Sequence, residues 1–472
     1  MRNWLQAAKN NYPHGYWSLF LCESISRYAF WAIQSLLVLH LIQDLNFSRS
    51  TAYEFIGAYV ALSYAMTFVG GIIGDKFIGY TSALVVGIIA LIIGSIFVLS
   101  NNILYVLGFS LLIVGVGTII PNITRYIGAL YDLQKDLNRN RGFSIFYLAS
   151  NLGGIAGPLI AGLINHYFGW EYAIVSIVAL YALWLIYFLS KEKFNFKQTS
   201  LSIRTGTATF VILILLTISL FLLMKYQFLV NKFLTLSVLF AFGYIAFHLK
   251  NEKNKDYIGL ILIGISLFIA LLFFTFEFQI LSSLLIFSKD FVNTQIFGYQ
   301  IPVTSLVGIE PFCVVLAIPL INKYVNKNGE QNNCFLKLLI ALLLLGCSFA
   351  IFFMAASYYG HIQNKLNLLW IVAGIAFMAV GEVMLMPPLL TLISEKAPSN
   401  LKSTFFGILY ITISLSGYLS GTVAQITDKI AEHTNAITGF NDTYLAVAIM
   451  CFTISLIMFI MKLVFRHRVI YY

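Results

Sequence analysis

Five ionisable side chains lie inside long apolar runs of this sequence, where charge is energetically costly. They are Glu23 and Arg27 in the first run, and Glu277, Glu310 and Glu382 in later ones. An ionised group at the middle of a bilayer costs at least about 2.5–3.5 kcal/mol, so such a residue marks a functional site. Carboxyl groups held away from water can carry protons or bind an amine, and an arginine can bind a carboxylate. These residues therefore predict a site that handles protons and a charged solute.

The local context of each charge decides how strongly it indicates function. Glu23 and Arg27 are four residues apart, so a helix places them on one face where they can pair. That pair could serve the site or could simply hold two helices together. Glu310 precedes Pro311 and could lie near the end of a span, within reach of water, whereas Glu382 lies deep in AFMAVGEVMLMPPLL. A position facing a cavity is therefore most strongly indicated for Glu382.

The composition shows what surrounds these charges. Of 472 residues, 60% are apolar or aromatic and 10% are charged, whereas soluble proteins carry about 25% charged residues. The chain must therefore lie in lipid, and its length leaves no room for a sizeable soluble domain. The polar N-terminus predicts no removable signal peptide. The cysteines and histidines show no metal-ligand spacing, and no hydrolase or ATPase motif occurs, so we expect no enzyme activity, no metal and no cofactor.

Apolar runs of membrane-spanning length recur along the whole chain and predict helices, because unpaired backbone groups cannot face lipid. The fourteen predicted spans are 17–43, 52–74, 81–100, 103–123, 142–165, 171–190, 206–224, 229–249, 257–288, 301–322, 335–357, 368–394, 403–427 and 443–464.

The distribution of basic residues predicts the orientation. With the N-terminus inside, 22 Lys and Arg residues flank the inner ends of the spans and 6 flank the outer ends. This bias satisfies the positive-inside rule and places both termini in the cytoplasm. It also explains the net charge of +10 without any nucleic-acid partner.

Two polar clusters divide the spans into groups of six, two and six. They are SKEKFNFKQTSLSIR, which follows the sixth span, and HLKNEKNKD at 248–256. The predicted domains are an N-terminal six-helix bundle (1–190), a region of linkers and two inserted helices (191–256), and a C-terminal six-helix bundle (257–472). Two six-helix bundles are the layout of major facilitator transporters.

Five segments, in this order, resemble the motifs of one transporter family. ESISRYAFW (23–31) is similar to E-x-x-E-R-F-x-Y-Y, and GGIIGDKFIG (70–79) resembles the facilitator loop whose gating motif includes Asp75 and Lys76. FSIFYLASNLGGIAGPLI (143–160) is the most specific match. FEFQILSSL (276–284) and GEVMLMPP (381–388) complete the set. Together they resemble the proton-dependent oligopeptide transporters of the major facilitator superfamily, whose bacterial members also carry two extra helices.

The resemblance implies a proton-coupled symporter in a bacterial inner membrane, which imports di- and tripeptides by alternating access through an acidic cavity and uses the proton gradient in place of a cofactor. It implies roles for Arg27 at the peptide carboxylate and for Glu382 at the peptide amine. Tyr64, Tyr147, Asn151 and Glu310 complete the expected substrate-binding set. The expected proton-coupling residues are Glu23, Arg27, Glu277, Glu310 and Glu382. Facilitators usually work as monomers, surrounded by lipid.

The sequence departs from the family pattern at several site positions. Ser26 replaces a glutamate, and Phe30-Trp31 replaces the aromatic pair. Ile120 occupies the position of the fourth-span lysine. With Gln279 aligned to the family glutamine, Phe278 falls where the acid belongs, and Glu277 lies one residue earlier. Glu310-Pro311 stands in place of an Asn-Pro pair.

These changes leave Arg27 as the fixed positive charge among four carboxyl groups. An acidic site of this kind favours amines and cationic side chains over a peptide carboxylate. Two alternatives therefore stay open: a proton-coupled transporter of a non-peptide amine or amino acid, and a transporter-derived sensor that binds ligand without net transport.

Overall fold

The protein is almost entirely helical in a computed structural model. The model describes residues 12–100, 102–134, 139–191, 203–226, 229–236, 257–296, 298–324, 334–362, 364–398 and 402–464.

In the described part of the first half of the chain, most residues lie in long or medium helices. In chain order they are α1 (Tyr16–Gln43), α2 (Arg49–Ile73), α3 (Gly79–Phe97), α4 (Ile103–Gln134), α5 (Arg139–Ala156), α6 (Gly162–Phe168), α7 (Trp170–Lys191) and α8 (Ile203–Lys225). Two π-helical segments join neighbouring helices, Gly74–Ile78 between α2 and α3 and Gly157–Ala161 between α5 and α6. Each joined pair is therefore continuous, with a local change of winding.

The second half contributes further helices, short 3₁₀ segments and four two-residue strands. The helices are α9 (Tyr257–Glu277), α10 (Ser283–Phe291), α11 (Ile309–Tyr324), α12 (Cys334–Ile362), α13 (Leu369–Lys396), α14 (Lys402–His433) and α15 (Ala436–Val464). The 3₁₀ segments are Phe278–Leu281 and Val303–Gly308. The strands are β1 (Val292–Asn293), β2 (Gln295–Ile296), β3 (Tyr299–Gln300) and β4 (Leu366–Asn367), with β1 parallel to β4 and β2 antiparallel to β3.

The apolar helices agree with the predicted spans. Twelve stretches in the described ranges are long and apolar enough to cross a membrane, and one of them, Arg49–Phe97, covers two predicted spans over 49 residues. Every predicted span except 229–249 coincides with one of these stretches. The span predicted at 229–249 lies mostly outside the described residues, so the count of fourteen is not fully tested.

The chain forms two compact units. The first comprises Met1–Leu36 and Leu62–Gln227, and the second comprises Leu37–Ala61 and Phe228–Tyr472. Residues 37–61, the end of α1 and the beginning of α2, thus group with the second half of the chain. The predicted domain boundaries at 190 and 256 stay a prediction.

In the first unit, glycines allow α2, α3 and α4 to pack closely. A Cβ atom on Gly70 would collide with the backbone of Gly117, and one on Gly94 would lie 2.9 Å from the carbonyl oxygen of Gly108. The Asn122 side-chain amide donates to the carbonyl oxygens of Gly70 and Thr118, at 2.9 and 2.7 Å. Small residues of this kind let membrane helices approach until their backbones touch.

In the second unit, Arg49 fixes the beginning of α2. Its Nη2 lies 2.8 Å from Asp290 Oδ2 in α10, and its Nη1 lies 3.9 Å from Asp428 Oδ1 in α14. Gln425 adds a hydrogen bond from Nε2 to the carbonyl oxygen of Ser50 at 2.9 Å. One arginine therefore links three helices, and its half-exposed position limits the stabilisation from each pair.

Candidate functional site

The charges of the first apolar run form a pair in α1. Arg27 Nε donates to Glu23 Oε1 at 2.7 Å. Glu23 is 2% exposed and Arg27 keeps 21% of its side chain accessible. The second carboxylate oxygen of Glu23 is buried without a hydrogen-bond partner. Glu23 is therefore buried, whereas Arg27 remains accessible. This accessibility would allow the arginine to bind an anion.

The backbone of α5 holds the Arg27 turn in place. A Cβ on Gly153 would collide with the carbonyl oxygen of Ser24 and lie 2.6 Å from Arg27 Cβ. A Cβ on Gly157 would collide with the carbonyl oxygen of Tyr28. Gly153 of α5 and Gly157, the first residue of the π-helical segment that follows it, thus form a flat surface against which α1 packs, and that surface sets the position of Arg27.

We expect Gly153→Ala to lower uptake of the transported solute about tenfold. The added methyl group would push α1 away at Arg27, and such overpacking typically costs about 1–3 kcal/mol. Initial rates in proteoliposomes would measure the effect. The matched control is Gly264→Ala in α9, where nothing lies within 4 Å of an added Cβ. Equal rates for the two variants would show that the close approach at Gly153 does not set the Arg27 geometry.

The tyrosine and asparagine residues predicted for the site lie on α2 and α5. The Tyr64 ring meets Phe30 edge to face with 5.9 Å between ring centroids, and Phe30 meets Trp31 at 6.0 Å. In α5, the Asn151 amide donates to the carbonyl oxygen of Tyr147 at 3.0 Å, and the Tyr147 side chain is exposed. Both predicted α5 residues therefore lie on one face of that helix, as their spacing requires.

The predicted gating residues lie in the π-helical segment Gly74–Ile78. Asp75 and Lys76 are both exposed. Asp75 also lines a pocket of about 370 Å³, together with Pro121, Asn122 and Arg125. A gating role for Asp75 and Lys76 stays a prediction.

The second unit brings together three of the predicted carboxyl groups. Glu277 is the last residue of α9, Glu310 lies in the first turn of α11, and Glu382 lies in the middle of α13. One oxygen from each lies within 4.8 Å of the others. Glu277 and Glu310 are 6% and 7% exposed. We call these three residues the acidic cluster. Within the described ranges, no ion pair joins it to a basic side chain.

The geometry of the acidic cluster disfavours ionisation of all three carboxyl groups together. Two ionised carboxylates 4.8 Å apart would repel by about 3–4 kcal/mol at an effective dielectric constant of about 20. Glu277 Oε2 is buried without a hydrogen-bond partner. The cluster can therefore bind protons, or it can bind an ammonium group in place of the protons.

The local winding of the chain explains how Glu277 reaches the cluster. The α-helix ends at Glu277, and Phe278–Leu281 continues as a 3₁₀ segment. Gln279 is fixed by structural bonds: its Nε2 donates to Ser420 Oγ at 3.1 Å, and its Oε1 accepts from Ser283 Oγ at 2.6 Å. Phe278, at the position expected for the family acid, is buried. The one-residue offset therefore does not remove an acid from the cluster.

Three carboxylate oxygens could also ligate a metal ion. Calcium usually takes six to eight oxygen ligands, and magnesium takes six in octahedral geometry. One oxygen from each of the three carboxyl groups would fill half of a six-ligand shell, and the remaining ligands would have to be their second oxygens or water.

Comparison with known proteins shows to which family the chain belongs. The family model described as the POT family matches residues 76–440. The chain belongs to the POT family. This region includes the motifs around Asn151, Glu310 and Glu382, and members of the family are transporters, so the protein is a multi-pass membrane transporter and not an enzyme.

Two curated relatives align over most of this POT transporter. An uncharacterised transporter of Bacillus subtilis, YclF, is 25% identical over 450 residues, which cover 89% of each chain. The dipeptide and tripeptide permease B of Yersinia enterocolitica is 24% identical over 469 residues, which cover 94% of this chain and 93% of the permease.

Solved structures show the same fold. Tetrameric PepTSo2 superimposes with a TM-score of 0.83 at 19% identity and covers 96% of this chain and 99% of its own. A POT family transporter in complex with 5-aminolevulinic acid gives a TM-score of 0.78 at 21% identity and covers 94% and 97%. The predicted major facilitator fold is therefore confirmed.

Some residues that position the site of this POT transporter were not found by motif matching. The glycines of NLGGIAG belong to the most specific family match, but nothing in that motif indicates that Gly153 and Gly157 pack at the Arg27 turn. The bonds of Gln279 to Ser420 join residues 141 positions apart, and no local pattern indicates them. The fully buried Gln34, whose amide nitrogen and oxygen both lack partners, was likewise not identified.

Proposed function

We propose that this chain is a proton-coupled symporter that imports short peptides across the bacterial inner membrane by alternating access. Membership of the POT family and similarity to a dipeptide and tripeptide permease support this proposal. The observation that carries it is the acidic cluster, because three carboxyl groups within 4.8 Å of one another repel when they are all ionised and so favour bound protons. Binding of a solute can therefore be coupled to the uptake or release of protons by these carboxyl groups.

The proposed roles follow from the geometry of each unit. Arg27, accessible while its partner Glu23 is buried, binds a carboxylate of the solute. Glu382, with Glu277 and Glu310 beside it, binds an amine, and the cluster releases protons as the amine binds. Tyr64, Tyr147 and Asn151 contribute polar groups near Arg27. Both termini are proposed to face the cytoplasm, as the positive-inside rule predicts; monomeric function also stays a prediction.

Uptake of labelled di- and tripeptides into proteoliposomes tests the proposal. With an inward proton gradient, we expect the peptides to accumulate, and an uncoupler should abolish accumulation while leaving exchange intact. Accumulation that is insensitive to the uncoupler would contradict proton coupling. No uptake of any peptide, with uptake of simple amines, would favour the alternative of a non-peptide substrate.

The charge of the site predicts a substrate preference. With Ile120 in place of the family lysine and Ser26 in place of a glutamate, the predicted site residues comprise one cation, Arg27, and four carboxyl groups. We expect Lys-containing dipeptides to have an apparent KM at least about tenfold lower than matched Glu-containing dipeptides, since a charge-assisted hydrogen bond contributes about 1.5–3 kcal/mol. Competition against a neutral dipeptide measures this, and equal inhibition by both series would refute the preference.

A sensor without net transport is the second candidate. The departures at Ser26 and Ile120 favour it, because each removes a charged residue of the family pattern. Counterflow separates the two functions: a transporter exchanges labelled for unlabelled solute across the bilayer, whereas a sensor binds the solute and exchanges none.

A further inference from the structure

A long apolar groove runs along the first unit beside the inserted helix α8. It has a volume of about 720 Å³. Its floor is formed by α4 and its two walls by α3 and α8. The residues that line it include Val86 and Ile89 of α3, Leu111 of α4, and Leu213 and Ile214 of α8.

The groove exists because α3 and α8 both pack on α4 and leave a space between them. The glycines of α3 lie on the face that packs against α4, where Gly87 contacts Gly115 and Gly94 contacts Gly108. The opposite flank of α3 carries branched apolar side chains that remain accessible, with Ile89 43% exposed. The groove is therefore a concave surface with an apolar lining.

Lipid surrounds this surface, because all three helices are membrane-spanning stretches. The lining runs along α3 from Ser82 to Ile93. Eleven residues of α-helix rise about 16 Å, and one leaflet accounts for about half of a 30 Å hydrocarbon core. The groove therefore matches the depth of a single leaflet, the length over which one acyl chain extends.

The charges at one end of the groove indicate the headgroup. Ile78 lines that end and closes the segment Gly74–Ile78, in which Lys76 is exposed. The neighbouring Asp75 lines the separate pocket that contains Arg125. A basic residue at the mouth of an apolar channel favours an anionic lipid headgroup over a zwitterionic one.

We propose that this groove binds one acyl chain of an anionic phospholipid, with the phosphate at the Lys76 end and the chain between α3 and α8. By the positive-inside rule this is the cytoplasmic leaflet. The bound chain completes the packing of α8 against the rest of the unit, so α8 is held partly through lipid.

Native mass spectrometry of the full-length protein tests the proposal, with dioleoyl phosphatidylglycerol and dioleoyl phosphatidylcholine as probes. We expect one phosphatidylglycerol to remain bound at an occupancy at least fivefold above that of phosphatidylcholine. Val86→Trp fills the groove and should lower that occupancy at least fivefold. The matched control is Ile96→Trp, on the same helix, 49% exposed and outside the lining; it should bind as the unchanged protein does.

Two further measurements locate the chain and the headgroup. A phosphatidylglycerol with a photoreactive acyl chain should label peptides of α3 and α8 in the unsubstituted protein, which gives an answer even if Val86→Trp fails to fold. Lys76→Gln should reduce the preference for phosphatidylglycerol, whereas Lys225→Gln, at the other end of α8, should not. Wild-type occupancy in Val86→Trp, labelling confined to other helices, or equal binding of the two lipids would each overturn the proposal.

Discussion

Arg27→Ala is expected to reduce proton-driven uptake to about 1% of the wild-type rate or less. The substitution removes the cation proposed to bind the carboxylate of the solute, and such charge-assisted hydrogen bonds contribute about 1.5–3 kcal/mol each. It also leaves Glu23, only 2% exposed, without its ionic partner. Breaking a buried pair from one side typically destabilises a protein by about 3–5 kcal/mol.

A second substitution separates the loss of transport from the loss of stability. Glu23→Gln combined with Arg27→Ala removes the orphaned charge, so the melting temperature in detergent should recover while uptake stays abolished. Arg27→Lys should retain part of the activity, because lysine keeps the charge and loses the planar, two-pronged geometry. Wild-type uptake in Arg27→Ala would show that the pair only holds helices together.

Glu382→Gln is expected to abolish accumulation of amine-bearing solutes and to raise their apparent KM by at least about tenfold. Glutamine has nearly the same shape as a protonated glutamate, but it cannot take a negative charge. An ammonium group therefore loses a charged acceptor, a loss of about 1.5–3 kcal/mol. Uptake and counterflow in proteoliposomes measure the two effects.

The other members of the acidic cluster should behave differently. Glu277→Gln should abolish proton-driven accumulation but preserve counterflow, because Glu277 has a buried oxygen without a hydrogen-bond partner and is proposed to carry a proton. Neither variant should lower the melting temperature, because each removes a mutually repelling charge. Glu171→Gln, at the exposed beginning of α7, is the control and should transport normally. Counterflow lost equally in Glu277→Gln and Glu382→Gln would reject separate roles for the two acids.

The helical spans could be read from the sequence because each is specified locally. Lipid imposes internal hydrogen bonding on every backbone group, so a run of about 20 apolar residues suffices to predict a helix. The predicted span at 301–322 shows the limit of this reasoning. Hydropathy does not reveal that its first turns are the 3₁₀ segment Val303–Gly308 or that α11 begins one residue before Glu310.

The sequence by itself identified Glu23, Arg27, Glu277, Glu310 and Glu382, because a charge within an apolar run is conspicuous wherever it occurs. It also predicted the Glu23–Arg27 pair, since a spacing of four is a local property of a helix. Only the tertiary structure showed that the other three acids form one cluster, because α9, α11 and α13 are far apart in the chain and their packing sets the distances. The same holds for Gly153, whose contact with the Arg27 turn depends on how α5 meets α1. Charge and periodicity are local properties of the sequence, whereas proximity between distant residues arises only when the helices pack.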